Sequence, residues 1–213
     1  MKLIDLSVKE FLNELSSKSP APGGGSVAAL SGANAVSLVM MVSSLTTKKK
    51  KFRALPEEVQ NEYKEIIATF VLAKETFTKL IDDDTCAFNE VMAAYKLPKE
   101  TEEDLVIRNQ AIESATIGCI KTPMEVADLA LGLLRKMELI IKHSNRNTTS
   151  DQGVAVLLLS AAFKGAAMNV KINLPGLSQK ELIKEYKDVI IDMTNEVNNL
   201  KERLLEEVDY LLE

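Results

Sequence analysis

Three aspartates stand in a row at Asp82, Asp83 and Asp84, and helical periodicity gives each a different setting. Tyr63, Phe70, Phe77 and Val91 lie whole heptads from Asp84, so at about 100° per residue Asp84 falls near the middle of an apolar stripe. Asp82 projects to nearly the opposite side, and Asp83 lies on a flank. A carboxylate among apolar neighbours loses hydration, and its proton affinity rises unless a donor compensates. That property suits a general acid or base near neutral pH. A carboxylate that merely bonds a neighbouring helix end or hydroxyl would have the same register, so both readings stand.

A second candidate is the stretch Ser19-Pro20-Ala21-Pro22-Gly23-Gly24-Gly25-Ser26. Its prolines favour an extended approach, and three glycines allow backbone angles that residues with a Cβ avoid. Ser26 is a plausible N-cap for the helix that follows. Pro22 to Ser26 would then form a bare backbone cradle whose free N–H groups favour an anion. A purely structural turn uses the same residues. Asn145, Ser150 and Asp151 form another polar cluster at a loop-to-helix junction, with Ser150 as the expected N-cap. Asn169 and Asn173 share a helix face with Ala162 and Ala166, where carboxamides can orient a heterocycle or tie two helices together. Buried polar groups need partners, and one polar ligand would supply several. His143, the only histidine, reads more simply as a helix C-terminal cap, and the methionines as adaptable core filler.

The elements that must position these groups are helical almost throughout. Ser7 and Glu10 form a capping box ahead of Val8, Phe11, Leu12 and Leu15, predicting a helix to about Ser17. Val27 to Leu45 reads as a buried central helix, with Ala28, Gly32 and Ala35 offering a small-residue face. Its serines and Asn34 interrupt any membrane-spanning run. Pro56 begins a long helix to about Tyr95. Thr101 and Asp104 start another, expected to end near Lys121, where Pro123 should open a separate helix to about Lys142. A helix from Asp151 to about Asn173 follows, stopped by Pro175-Gly176. A capping box at Ser178 and Glu181 then opens the last helix, whose three–four spacing resembles a coiled-coil strand. Seven helices joined by short turns predict an all-α, single-domain bundle over residues 1–213, with long antiparallel neighbours. Surplus apolar surface on the long helices predicts a homodimer.

Composition narrows the classes of function. The chain has 213 residues, 46% hydrophobic and 27% charged, with a net charge of −5, which argues against nucleic-acid partners. Lys48 to Lys51 are the only basic run and read as a solvated helix end. No secretory or membrane segment is expected. Cys86 and Cys119 have no metal-like spacing, so they fit reduced thiols of a cytoplasmic protein, and no metal site is expected.

Taken in order, four motifs resemble the formiminotransferase-cyclodeaminase C-terminal family. They are Ser19-Pro-Ala-Pro-Gly-Gly-Gly-Ser-Val-Ala-Ala-Leu30, Asp82-x-Asp84-x-x-Ala87-Phe88, Asn145-x-x-x-x-Ser150-Asp151 and Asn169-Val-x-Ile-Asn-Leu174. The resemblance covers nearly the whole chain. It implies a helical subunit that dimerises and binds a tetrahydrofolate derivative near the subunit boundary, with no prosthetic group. It also implies Asp84 as the catalytic carboxylate. Pro22, Gly23, Gly24, Gly25, Ser26, Asn145, Ser150, Asp151, Asn169 and Asn173 match positions expected to bind substrate. The implied reaction is the formiminotetrahydrofolate cyclodeaminase one, 5-formiminotetrahydrofolate giving 5,10-methenyltetrahydrofolate and ammonia. Methenyltetrahydrofolate cyclohydrolase is the alternative on the same site. A non-catalytic folate-binding or scaffold protein is the reading from another class.

Overall fold

A computed structural model describes residues 2–213. Its helices are α1 (Val8–Leu15), α2 (Gly24–Thr46), the single turn α3 (Lys50–Arg53), α4 (Glu57–Tyr95), α5 (Glu102–Leu134), α6 (Met137–His143), α7 (Thr149–Asn173) and α8 (Lys180–Leu212). Leaving the single turn aside, the described residues form seven helices and no strand, the expected all-α domain. The predicted capping box of Ser7 with Glu10 is in place, and Thr101 with Asp104, expected to start a helix, forms one as well.

Four helices make the core. α2 packs on α4 and α7, α5 packs on the same two, and α8 lies along α7. Tyr63, Phe70, Phe77 and Phe163 are fully buried between them. The small-residue face of α2 sets the register. A Cβ on Gly32 would lie 2.5 Å from Phe77 Cε1, so the ring occupies the space a side chain would take. Seven residues back along α2, and seven forward along α4, Gly25 faces Asp84 in the same way. Antiparallel packing of α2 on α4 thus delivers one ring and one carboxylate to two glycines. Both α2 and the stretch Arg146–Gly176 are long and apolar enough to span a membrane by length and composition, but neighbouring helices cover more than half of each apolar window. Both pack as core helices here.

The structure corrects several local expectations. Pro123 does not open a helix; α5 runs through it and stops at Arg135. A proline inside a helix lacks the N–H that would bond the carbonyl four residues back. That carbonyl is Cys119 O, and the Asn173 side chain donates to it at 3.2 Å. A donor from another helix therefore replaces the missing one. Ser26 and Ser150 are not caps, since the boundary residues are Gly23 and Thr148. Ser178 makes no box with Glu181. Its hydroxyl and N–H donate instead to Glu113 Oε1, at 2.5 and 3.2 Å. Met137 and Met193 fill the core, but Met41, Met92 and Met168 are exposed. The apolar stripe of α4 also thins before its end, leaving Tyr95 half-exposed beneath the Arg108 guanidinium.

Candidate functional site around Asp84

Residues 82 to 84 lie on one turn of α4 and take three different roles. Asp82 does not simply face solvent: its Oδ1 accepts from Leu3 N at 2.6 Å and ties down the N-terminal 3-10 turn Leu3–Asp5. Asp83 pairs at the surface with Lys79. Asp84 turns inward, half-buried, onto the start of α2.

Its surroundings explain the glycines. Pro22 is buried, the Ala21–Pro22 peptide is cis, and Gly23 is extended at φ −134°, ψ −155°. No glycine among the described residues has a positive φ, so the run is not there for left-handed backbone angles. What Gly25 supplies is clearance, because a Cβ there would overlap the Asp84 carboxylate. Gly24 similarly faces Asn169, whose Nδ2 would sit 3.4 Å from a Cβ. The positive end of α2 does receive an anion, and that anion is Asp84 itself.

Asp84 Oδ2 accepts from Ser26 N at 2.8 Å and lies 3.1 Å from Ser26 Oγ. The same hydroxyl is 2.9 Å from Ile81 O and 3.3 Å from Thr85 Oγ1. One hydroxyl hydrogen cannot fully serve both acceptors. When Asp84 is ionised, Ser26 O–H can donate to it. When Asp84 is protonated, its own O–H can donate to Ser26 Oγ while the serine hydrogen turns to Ile81 O. The site therefore accommodates both protonation states by one hydroxyl rotation. Burial pushes the Asp84 carboxyl above its ordinary range, opposed by the two Ser26 bonds. The net direction is upward, as register predicted.

Asn169 Nδ2 donates to Gly165 O at 2.8 Å and is the atom nearest Gly24, while its Oδ1 accepts no hydrogen bond among the described residues. Asn173 is more committed: Nδ2 donates to Cys119 O and to Asn169 O, at 3.2 and 2.8 Å. Only its Oδ1 is left for a ligand. Cys119, which sequence reasoning left as a core thiol, lies near Asp84. Burial and the Asp84 and Glu90 charges push its thiol up to about 11, so it stays protonated and is no nucleophile. Pro123, four residues on, marks the Cys119 carbonyl as the one that needs the Asn173 donor.

A groove of about 1040 Å³ runs along the Asp82–Asp83 flank of α4 and is bordered by Pro22, Thr85, Cys86 and Asn89, but Asp84, Ser26 and Asn169 do not line it. Its other walls carry Glu10, Glu14, Glu75, Asp82 and Asp83, together with Lys2 and Lys79. Asn145, Ser150 and Asp151 do not join the site within one chain. Asn145 N donates to Thr46 Oγ1, at the opposite end of α2, about 33 Å from Gly24 along the helix. Ser150 is exposed and Asp151 half-buried in the first turn of α7, at that same end.

Residues 7–192 match the formiminotransferase-cyclodeaminase family. The chain is 37% identical over 209 residues to a methenyltetrahydrofolate cyclohydrolase of Methylorubrum extorquens, covering 95% of each. It is 31% identical to rat formimidoyltransferase-cyclodeaminase over 83% of its own length, but spans only 32% of that protein. The crystal structure of a formiminotetrahydrofolate cyclodeaminase from Thermotoga maritima superposes with a TM-score of 0.76 at 29% identity, covering 97% of this chain and 96% of that one. The chain belongs to the formiminotransferase-cyclodeaminase family.

Proposed function

We propose that this chain closes a one-carbon bridge on a tetrahydrofolate as a formiminotetrahydrofolate cyclodeaminase, with Asp84 as its general acid and base. The observation that carries the reading is the half-buried Asp84 carboxylate, set against Gly25 and served by Ser26 in either protonation state. N10 of the folate attacks the formimino carbon on N5 and gives its proton to the carboxylate. The tetrahedral intermediate then takes a proton back on the departing nitrogen and expels ammonia, leaving the methenyl bridge. A carboxyl with raised proton affinity makes both transfers possible at one oxygen. Holding N10 against the amidine carbon supplies much of the rest. The free Asn169 Oδ1 suits the pteridine. Exposed Val154, Leu157, Met168 and Ile172 along α7 support a homodimer.

The cyclohydrolase reading has its own support in the relative matched along 95% of both chains. There the same carboxylate would take a proton from water attacking the methenyl carbon. Two assays separate the readings: ammonia release from 5-formiminotetrahydrofolate marks the cyclodeaminase, whereas hydrolysis of added 5,10-methenyltetrahydrofolate with no ammonia from the formimino substrate marks the cyclohydrolase. Asp84→Asn should lower either turnover by about 10³-fold while the chain stays folded. A folate-stabilised protein with no turnover before or after the substitution would instead be a binding module.

A further inference from the structure

The end of α2 opposite Asp84 carries a second concave site. A cavity of about 210 Å³ lies where the C-terminus of α2, the single turn α3 and the α6–α7 loop meet. Its rim carries Lys49, Lys51, Lys142, His143 and Arg146, and no carboxylate lines it. Among the described residues none of these side chains forms an ion pair, although the chain as a whole is acidic.

The floor is built from buried polar groups with their own bonds. Ser144 lines it, and beneath Ser144 the fully buried Tyr63 places its hydroxyl 2.9 Å from Ser144 Oγ. Thr46, also buried, accepts from Asn145 N. Asn145 Oδ1 accepts from Asn147 N at 3.2 Å, which leaves the Nδ2 hydrogens for something else. Phe52 is buried edge-on against Tyr63 and closes one wall. A smaller neighbouring cavity shares Lys51, Lys142, Ser144 and Arg146, and there Glu207 is the one carboxylate.

Unpaired cations around a concavity raise the local anion concentration, and low-dielectric walls strengthen that field. Arg146 adds a planar fork suited to two oxygens at once. From the cations, the floor and the free carboxamide, we propose that this cavity is a binding site for a compact polyanion carrying several carboxylate or phosphate oxygens, separate from the Asp84 site. The length of α2 keeps the two sites from sharing one small ligand within a chain. This inference does not rest on the reaction proposed above: Asn145 is the one residue that motif order had assigned to substrate, and the His143 readout is independent of turnover.

His143 lines the cavity and, as the sole histidine, gives one unambiguous NMR signal. Its imidazole is held below the ordinary value by burial and by Lys142, with Glu62 opposing. Tripolyphosphate and citrate, each compared with sodium chloride at matched ionic strength, probe phosphate-rich and carboxylate-rich ligands. The site predicts a saturable movement of the His143 signal and a titration midpoint raised by about half a pH unit. Whichever anion saturates at lower concentration identifies the ligand chemistry. Replacing Lys142 and Arg146 together by Gln should weaken that binding about tenfold or more, consistent with the loss of two charge-assisted contacts. Both side chains are exposed, and unchanged helical circular dichroism checks the fold. A Lys49→Gln, Lys51→Gln pair provides the same test from the other rim. The proposal is overturned if neither polyanion moves His143 beyond chloride, or if both double variants bind as the wild type does.

Discussion

The two ends of α2 handle charge in opposite ways. At the Gly24 end one half-buried carboxylate is held by a single serine, against a glycine whose lack of a side chain leaves it room. At the Thr46 end several cations stay in water around a cavity, each without a carboxylate partner. Burial changes the proton affinity of one group sharply but acts over a few ångströms. Exposed charges barely perturb one another, yet their field extends about a Debye length. The first arrangement suits proton transfer, the second attraction of an ion.

The most severe way to break this contrast is Gly25→Ala. The added methyl enters the space of the Asp84 carboxylate and displaces it from Ser26. Turnover should fall about a hundredfold, with an overpacking cost of about 1–3 kcal/mol in chemical denaturation. Full activity in this variant would mean that close approach does not poise the carboxylate. A smaller effect is expected from Asn173→Ala, which leaves Cys119 O unpaired above Pro123 and should cost about 1–3 kcal/mol. Adding Pro123→Ala restores a backbone donor, so the double variant should recover much of the loss. Equal losses in the single and double variants would remove Asn173's role at the proline.

The finest comparison is in pH dependence. Asp84's raised proton affinity means that the folded chain binds this proton more tightly than the unfolded chain. Its contribution to stability is therefore fully present below the ordinary carboxylate value and is lost as pH rises through the raised one. Asp84→Asn, which does not ionise, should unfold at a higher midpoint than wild type at neutral pH, the difference closing below about pH 4.

Asp84 was legible because its partners on the stripe are on its own helix, at heptad spacing. The capping boxes at Ser7 and Thr101 were legible for the same reason, their partners lying three residues away. The misreadings involve distant partners. Ser178 turned to Glu113, 65 residues back in the chain. Pro123 stayed inside a helix because Asn173 supplied its missing donor. The glycine run announced an anion but not that the chain would furnish it. Motif order linked Asn145, Ser150 and Asp151 to Asp84, yet α7 runs the length of the bundle and separates them within a chain.

The pairing of Phe77 with Gly32 and of Asp84 with Gly25 also limits how the gene can change length. One codon gained or lost between those two α4 positions would rotate the carboxylate by about 100° relative to the ring that locks the helix. Another member of the triplet would then meet Gly25, or none would. Indels in this interval should be purged by selection, while the exposed Pro98–Glu100 connection can absorb them freely.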